Sequence, residues 1–484
     1  MNEVALRIGT ALRGAAHGAT FERRNPAGGD VVTRAAAAGA ADANAAAEAA
    51  GQAFESWSQT GPGVRRARLA AAADEIEARA EAFMQAMIDE TGSTAAWAGF
   101  NVQVAASMLR EAAALTTQIR GETIPSDVPG SLAMSLRVPC GPVLGIAPWN
   151  APVILGVRAI ATALACGNTV VLKASERCPM VHHLIGEALV AADLGDGIVN
   201  VVHNAPDAAA DVVTALIEHP AIARVNFTGS TRVGRLIGES AARLGKPALL
   251  ELGGKAPLVV AHDADLEAAV DATVFGAFFH QGQICMATER VVVAASIADA
   301  FVGRLAARVA ELKAGDPRRE ATPLGTLIGE SARRHCNALI ADATGLGAKT
   351  LTGGEAETVI MQPTVLDHVT PAMRAYHEES FGPIVTVVRA ADDEDALVAI
   401  ANDTEYGLAA AIFSDNGARA LRIARRIRSG ICHINAPTVH DEAQMPFGGV
   451  KASGHGRFGG QAGIAEFTDL RWITTQTGPR RYPI

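Results

Sequence analysis

Residues 141–175 read GPVLGIAPWNAPVILGVRAIATALACGNTVVLKAS, and this stretch decides the fold class. Its ends, GPVLGIAP and NTVVLKAS, are short β-branched runs with no polar alternation, the pattern of strands buried on both faces. A helical pattern begins between them, just after Asn150. The same unit recurs at IVNVV (198–202), ARVNFTGS (223–230) and APLVVAH (256–262), with helical stretches between. Strands alternating with helices imply a parallel sheet covered by helices, so the chain is predicted to be α/β.

A second α/β series follows Glu251. Strands are predicted around ERVVVAAS (289–296), MQPTVLDHV (361–369), PIVTVVRA (383–390), LAAAIFS (408–414) and GICHIN (430–435), separated by helical segments such as residues 295–315. Two α/β domains follow from two series. Upstream, residues 35–115 are alanine-rich with charges at helical spacing and read as several amphipathic helices. GETIPSDVPGSLAMSLRVPC (121–140) carries prolines and partial alternation, which predicts a hairpin. AEFTDLRWITTQT (465–477) alternates as a strand that could pair with this hairpin or with another subunit.

At 484 residues the chain is long enough for two or three domains, and 49% apolar with 19% charged residues is a globular composition. The net charge of −9 is spread along the chain without basic blocks, which argues against nucleic acid as a partner. No apolar run approaches the ~20 residues that span a bilayer, and the first residues resemble neither a secretory signal nor a transit peptide, so a cytoplasmic protein is expected. The six cysteines, at 140, 166, 178, 285, 336 and 432, form no CxxC pair and no cluster with histidine; neither a metal site nor a disulfide framework is expected.

Cys285 stands in HQGQICMATERV, where Gly282 permits a tight turn and close approach of a ligand. An accessible thiol with a lowered pKa would be the nucleophile a carbonyl carbon requires, although a dispersed cysteine is more often a small apolar core residue. Glu251 ends an apolar run before Gly253 and Gly254; it is either a solvated loop charge or a general base. Asn150 could cap the helix it precedes, or its amide could donate to an oxyanion. In NFTGSTRVG, a strand gives way to Gly229, Ser230 and Gly234 where a helix opens, so backbone amides there could meet a phosphate. The GxGxxG fingerprint is absent. Lys173 and Glu176, at the end of VVLKASE, could contact ribose hydroxyls.

In order along the chain, PWN (148–150), KASE (173–176), FTGS (227–230), ELGGK (251–255), GQIC (282–285), EESFGP (378–383) and MPFGGVKASG (445–454) match the motifs of the aldehyde dehydrogenase superfamily, which the chain resembles from about residue 25 to about residue 474. The resemblance implies a Rossmann-like NAD-binding domain (residues 1–117 and 138–251), an α/β catalytic domain (252–445) and a small β oligomerisation arm (118–137 and 462–484). It implies Cys285 as nucleophile, Glu251 as general base, and Asn150 with the Cys285 amide as oxyanion hole. For the cofactor, NAD or NADP in its place, it implies Ile146, Ala147, Pro148 and Trp149 along the dinucleotide and Lys173 and Glu176 at the adenosine ribose. Gly229, Ser230 and Gly234 would lie at the pyrophosphate, and Leu252, Glu379 and Phe381 around the nicotinamide end. A homodimer or homotetramer is the implied assembly, and a small aldehyde the partner.

Residues 135–176 and the segment TVHDEAQMPFGGVKASGHGRFGG (438–460) look most like the salicylaldehyde and vanillin dehydrogenases. An aromatic aldehyde of the salicylaldehyde, vanillin or benzaldehyde type is therefore the implied substrate. Two departures are KASE where many relatives read KPSE, and His280 where many have asparagine. Trp97, Ala151 and Arg158 are candidate pocket residues; Ala151 and Arg158 are seven apart, nearly one helix face. Trp97 could equally be core, and Arg158 could pair with a carboxylate. His440 and Asp441 read as loop residues that could order the substrate entrance. A semialdehyde held by Arg158, or a scaffold relative without turnover, are the competing readings; the first is separated by comparing benzaldehyde with succinic semialdehyde, the second by a thiol titration.

Overall fold

All five runs of the first series are strands, but they divide between two sheets. Val143–Ile146, Val170–Lys173, Val199–Val202, Arg224–Thr228 and Ala248–Glu251 form the parallel centre of an eight-stranded sheet. Ala256–Val260, read above with the first series, lies in the second sheet. In the first sheet the chain runs outward from Val143–Ile146 through Val170–Lys173 to Val199–Val202, then returns to the other side with Arg224–Thr228. The carboxyl ends of Ile146 and Thr228 therefore flank a topological switch point, where open α/β sheets leave a crevice. The computed structural model describes residues 1–484.

The second sheet has seven strands. Thr364–Asp367, Ile384–Ala390, Thr288–Ala294, Ala256–Val260, Ala409–Phe413 and Ile431–Ile434 are parallel, and Lys349–Thr352 adds an antiparallel edge. That edge strand had no signal in the sequence reading, being short and polar. So had the N-terminal strands, among them Leu6–Ile8 and Ala11–Arg13, which extend the first sheet.

The alanine-rich region is four helices, Ala40–Ser58, Pro62–Ala78, Ala80–Thr91 and Ala95–Leu115. In the first of them Ala43, Ala46, Ala47 and Ala50 are buried, the three- and four-residue spacing that places them on one face. Small side chains let the helix lie close to the sheet. The Pro152–Ala165 helix is buried along its whole length, and Arg158 is its one charged residue. A Cβ on Gly145 would stand 2.9 Å from that of Ala159, so the strand leading to the switch point and this helix touch backbone to backbone. No helix is long and apolar enough to cross a membrane.

Thr468–Gln476 pairs antiparallel with Ser131–Pro139 over nine residues, and Glu122–Ile124 completes a three-stranded sheet. Of the two partners left open for the tail, the tail pairs with the hairpin. Ile124, Leu132, Leu136, Leu470 and Trp472 of this sheet are exposed.

Candidate active site

The chain passes from the first sheet to the second through Leu252, Gly253, Gly254 and Lys255, and the site is built around this crossing. A Cβ on Gly254 would meet the Cys285 carbonyl oxygen at 2.3 Å, and one on Gly253 would meet a Glu379 carboxylate oxygen at 2.7 Å. The glycine pair is thus the condition for three segments to converge. The Gly254 amide donates to Glu379 at 2.8 Å, and the Ser453 hydroxyl donates to the Gly253 carbonyl at 2.7 Å. Lys255 in turn pairs with Glu289 at 2.7 Å, both buried, and Glu289 accepts from the amides of Ser380 and Phe381. Glu289 was missed in the sequence, where it carries no motif.

Cys285 is presented by a strained turn. His280, Gln281 and Gly282 have φ of 50°, 55° and 68°, all left-handed, a costly conformation for the two non-glycine residues. Gly282 cannot carry a side chain, since its Cβ would meet the Gly382 carbonyl at 2.2 Å. The turn is tied down by Gln283, whose side-chain oxygen accepts from the Ile328 amide at 2.9 Å, and by Gln281, which donates to the Thr326 carbonyl at 3.0 Å. His280 stacks on Trp97 with ring centroids 4.7 Å apart, and burial holds its imidazole at a pKa of about 3. The departure at this position is thereby accounted for as a neutral ring in an aromatic stack.

Two cavities meet at Cys285. One, of about 340 Å³, contains Glu251, Glu379, Phe381, Trp149, Gly229 and Ser230; the other, of about 290 Å³, is walled by Trp97, Phe100, Ala151, Phe275, Val439 and Phe447 with Arg158 and Asp441. Asn150 and Cys285 border both. Asn150 does not cap the following helix, whose N-cap is Ala151. Its side-chain amide donates to the Gln283 carbonyl at 3.0 Å, while its own carbonyl accepts from the Trp97 indole at 2.8 Å. An amide group has a second N–H to offer. The Cys285 backbone N–H makes no hydrogen bond.

Glu251 is buried rather than a solvated loop charge, and neither carboxylate oxygen has a hydrogen-bond partner. Burial lifts its pKa to about 7, with Arg158 partly offsetting the rise. Burial likewise raises the Cys285 thiol well above its ordinary value, and the Glu251 carboxylate adds to the effect. The condition of a lowered thiol pKa is not met in the resting site, because burial and the neighbouring carboxylate both disfavour the thiolate. Burial also lifts Glu379, to about 8.

Trp97 is both core and wall, being 2% exposed yet facing the apolar cavity. Arg158 is both pocket residue and ion-pair partner. It pairs with Asp441 and lies 4.1 Å from the centroid of the Phe447 ring. Asp441 is therefore not a free loop residue, and His440 shares the cavity rim with it.

A groove of about 690 Å³ runs from the first cavity over the switch point. Ile146, Ala147, Pro148 and Trp149 form one wall, Thr228, Gly229 and Ser230 the other, and Lys173 and Glu176 stand together at the far end, 3.7 Å apart. The Thr231–Arg243 helix opens at Ser230 with no side-chain cap, so its first amides have no partner within the chain. Gly234 and Leu252 do not line the groove. They pack on one another beneath it, a Cβ on Gly234 falling 2.2 Å from Leu252. Phe381 crosses Trp149 edge to face at 5.7 Å. His335, whose Nε2 donates to the Glu379 carbonyl at 2.9 Å, joins the first cavity and had no sequence signal.

The Aldehyde dehydrogenase family model matches residues 14–473. Over all 484 residues of both chains the sequence is 61% identical to a vanillin dehydrogenase of Pseudomonas fluorescens. It is 47% identical over 465 residues to a salicylaldehyde dehydrogenase of Pseudomonas putida, covering 96% of each chain. Among solved structures, the salicylaldehyde dehydrogenase from Pseudomonas putida G7 complexed with salicylaldehyde superimposes with a TM-score of 0.99 at 46% identity, covering all of both chains. A betaine aldehyde dehydrogenase variant from Staphylococcus aureus, in complex with NAD+, superimposes with a TM-score of 0.94 at 32% identity, covering 99% of this chain and 97% of the other.

Proposed function

The chain belongs to the aldehyde dehydrogenase family, and on that premise we propose that it oxidises an aromatic aldehyde to the carboxylic acid, with Cys285 as nucleophile and NAD as the preferred cofactor. The observation that carries the reading is the position of Cys285 and Asn150 on the border between a cavity holding Glu251 and a cavity walled by aromatic rings. An aldehyde in the aromatic cavity presents its carbonyl carbon to the thiol. Addition of the thiolate gives a thiohemiacetal whose oxyanion accepts from the free N–H of the Asn150 amide and from the unpaired Cys285 backbone N–H. What a bound nicotinamide dinucleotide supplies is the hydride acceptor that leaves a thioester on Cys285. Glu251 then takes a proton from water as the water attacks the thioester, releasing the acid. Since the carboxylate has no partner in the protein, it is free to bind that water.

The groove fits a dinucleotide by its donor set. Uncapped helix amides at Ser230 suit a pyrophosphate, and the Lys173 and Glu176 side chains suit a ribose diol. Glu176 can accept from both hydroxyls and repels a 2′-phosphate, which Lys173 offsets only in part. Steady-state kcat/KM for benzaldehyde and for succinic semialdehyde, each with NAD and with NADP, tests substrate class and cofactor together. Benzaldehyde is expected to exceed the semialdehyde by at least about tenfold, and NAD to exceed NADP. A faster semialdehyde reaction would put the far carboxylate on Arg158 instead, and equal cofactor values would remove Glu176 from the ribose.

The exposed Ile124, Leu470 and Trp472, which the strand register places on one face of the three-stranded sheet, support a homodimer or homotetramer built through that sheet, because exposed apolar groups gathered on one face mark contact sites. Sedimentation of Trp472→Asp is expected to show a smaller particle than the unaltered chain; a monomer in both would dismiss the assembly.

A further inference from the structure

The ionisable groups that share a cavity with Cys285 are Glu251, Glu379 and His335 on one side and Arg158, Asp441 and His440 on the other. Arg158 is the single permanent cation among them, since a guanidinium is always protonated. It has an unusual position for a charge: in the middle of a fully buried helix, with its side chain 6% exposed. Two contacts fix it there, the Asp441 carboxylate on Nη2 and the face of Phe447 at 4.1 Å. Its Nε and Nη1 have no protein partner, and the residue lines the cavity that Cys285 borders. A guanidinium so placed does more than satisfy Asp441, because a helix side chain and a loop 283 residues later could both be apolar with less desolvation.

We propose that Arg158 is a positioning residue acting through charge: held by Asp441, its guanidinium stabilises the Cys285 thiolate across the substrate cavity, and Asp441 limits that stabilisation. The inference rests on the reading of Cys285 as nucleophile. The charges around the thiol support it. Burial opposes the thiolate most, Glu251 and Glu379 add to that opposition, and Arg158 is the group that favours it. At Glu251 the two members of the pair act with opposite sign, Arg158 favouring the carboxylate and Asp441 disfavouring it, with Arg158 the stronger. The pair therefore presents its positive end to the reacting groups. A wall of aromatic side chains with little polar surface leaves that field poorly screened.

The consequence is a pair of opposite effects that breaking an ion pair for structural reasons would not produce. Inactivation by iodoacetamide as a function of pH reads the thiolate of Cys285 in the full-length protein, with the alkylated site confirmed by peptide mass. Arg158→Met is expected to move the midpoint up by about one pKa unit, and Asp441→Asn, which keeps an acceptor oxygen for Nη2, to move it down. Arg158→Lys, which keeps the charge, should stay within a few tenths of a unit of the unaltered protein. Midpoints that move the same way in both variants, or a downward shift absent from Asp441→Asn, would overturn the proposal. If Arg158→Met proves insoluble, the Asp441→Asn and Arg158→Lys arms decide alone. A protein that iodoacetamide does not inactivate at any pH would sink the Cys285 reading itself, whereas inactivation without opposite shifts sinks only the role of the pair.

Discussion

Serine in place of Cys285 is expected to lower kcat by at least about 10⁴-fold, about 5.4 kcal/mol of barrier, with dinucleotide affinity unchanged. The size of the effect follows from the surroundings. Even a thiol is held neutral here, because burial and the Glu251 carboxylate both oppose its ionisation. A hydroxyl is far harder to ionise, and the Glu251 carboxylate that opposes the thiolate opposes an alkoxide as well. The 690 Å³ groove, by contrast, has no wall formed by Cys285, so titration of the variant with NAD followed by fluorescence should give the unaltered Kd. More than about a tenth of the original kcat in the variant would show that another group forms the covalent bond. A large loss of NAD affinity would instead point to collapse of the 280–285 turn.

That turn shows what the sequence could and could not disclose. Gly282 and Cys285 were legible as a tight turn with a reachable thiol, because glycine next to a nucleophile has few structural uses. The left-handed φ of His280 and Gln281 was not legible, since neither residue type signals it; it is imposed by the anchors at Thr326 and Ile328, more than forty residues away. Glu251 and Asn150 were each ambiguous as single residues. Their burial in one cavity removes the solvated loop charge and the helix cap that local pattern left open, and it depends on the crossing between the sheets rather than on neighbours in the chain. Likewise the glycines at 253 and 254 read only as a turn, while their purpose is to admit Glu379 and the Cys285 backbone. The parallel strands were legible because burial on both faces leaves an unbroken β-branched run. The N-terminal strands Leu6–Ile8, buried, and Ala11–Arg13, exposed at the sheet edge, are three residues each and too short to leave such a run. Arg158 was visible as a charge in an apolar helix, but nothing near it in sequence could name Asp441 as its partner.

Glutamine in place of Glu251 is expected to slow release of the acid by about 10²- to 10⁴-fold while leaving the first turnover nearly intact, so that acyl-enzyme accumulates. The amide has nearly the shape of the carboxylate, so the cavity is preserved, but it cannot accept the proton of the attacking water. Rapid mixing should show a burst of NADH near one per active site followed by a slow steady rate, and intact-protein mass spectrometry should find the acyl adduct on Cys285. The pH dependence gives an independent check with a definite sign. With its pKa lifted to about 7 by burial, Glu251 is protonated and inert as a base below that pH and competent above it. Where release of acid limits turnover, kcat should rise through about pH 7 in the unaltered enzyme, and this limb should vanish in the variant. Cys285 should respond in the opposite sense, because the Glu251 carboxylate is one of the charges that raise its pKa. Removing that charge lowers the pH at which the thiolate forms, so alkylation by iodoacetamide should begin at lower pH in Glu251→Gln than in the unaltered protein. A normal steady rate with no detectable acyl-enzyme would remove Glu251 from the mechanism, and an unmoved alkylation midpoint would show that the carboxylate and the thiol do not share the low-dielectric site described here.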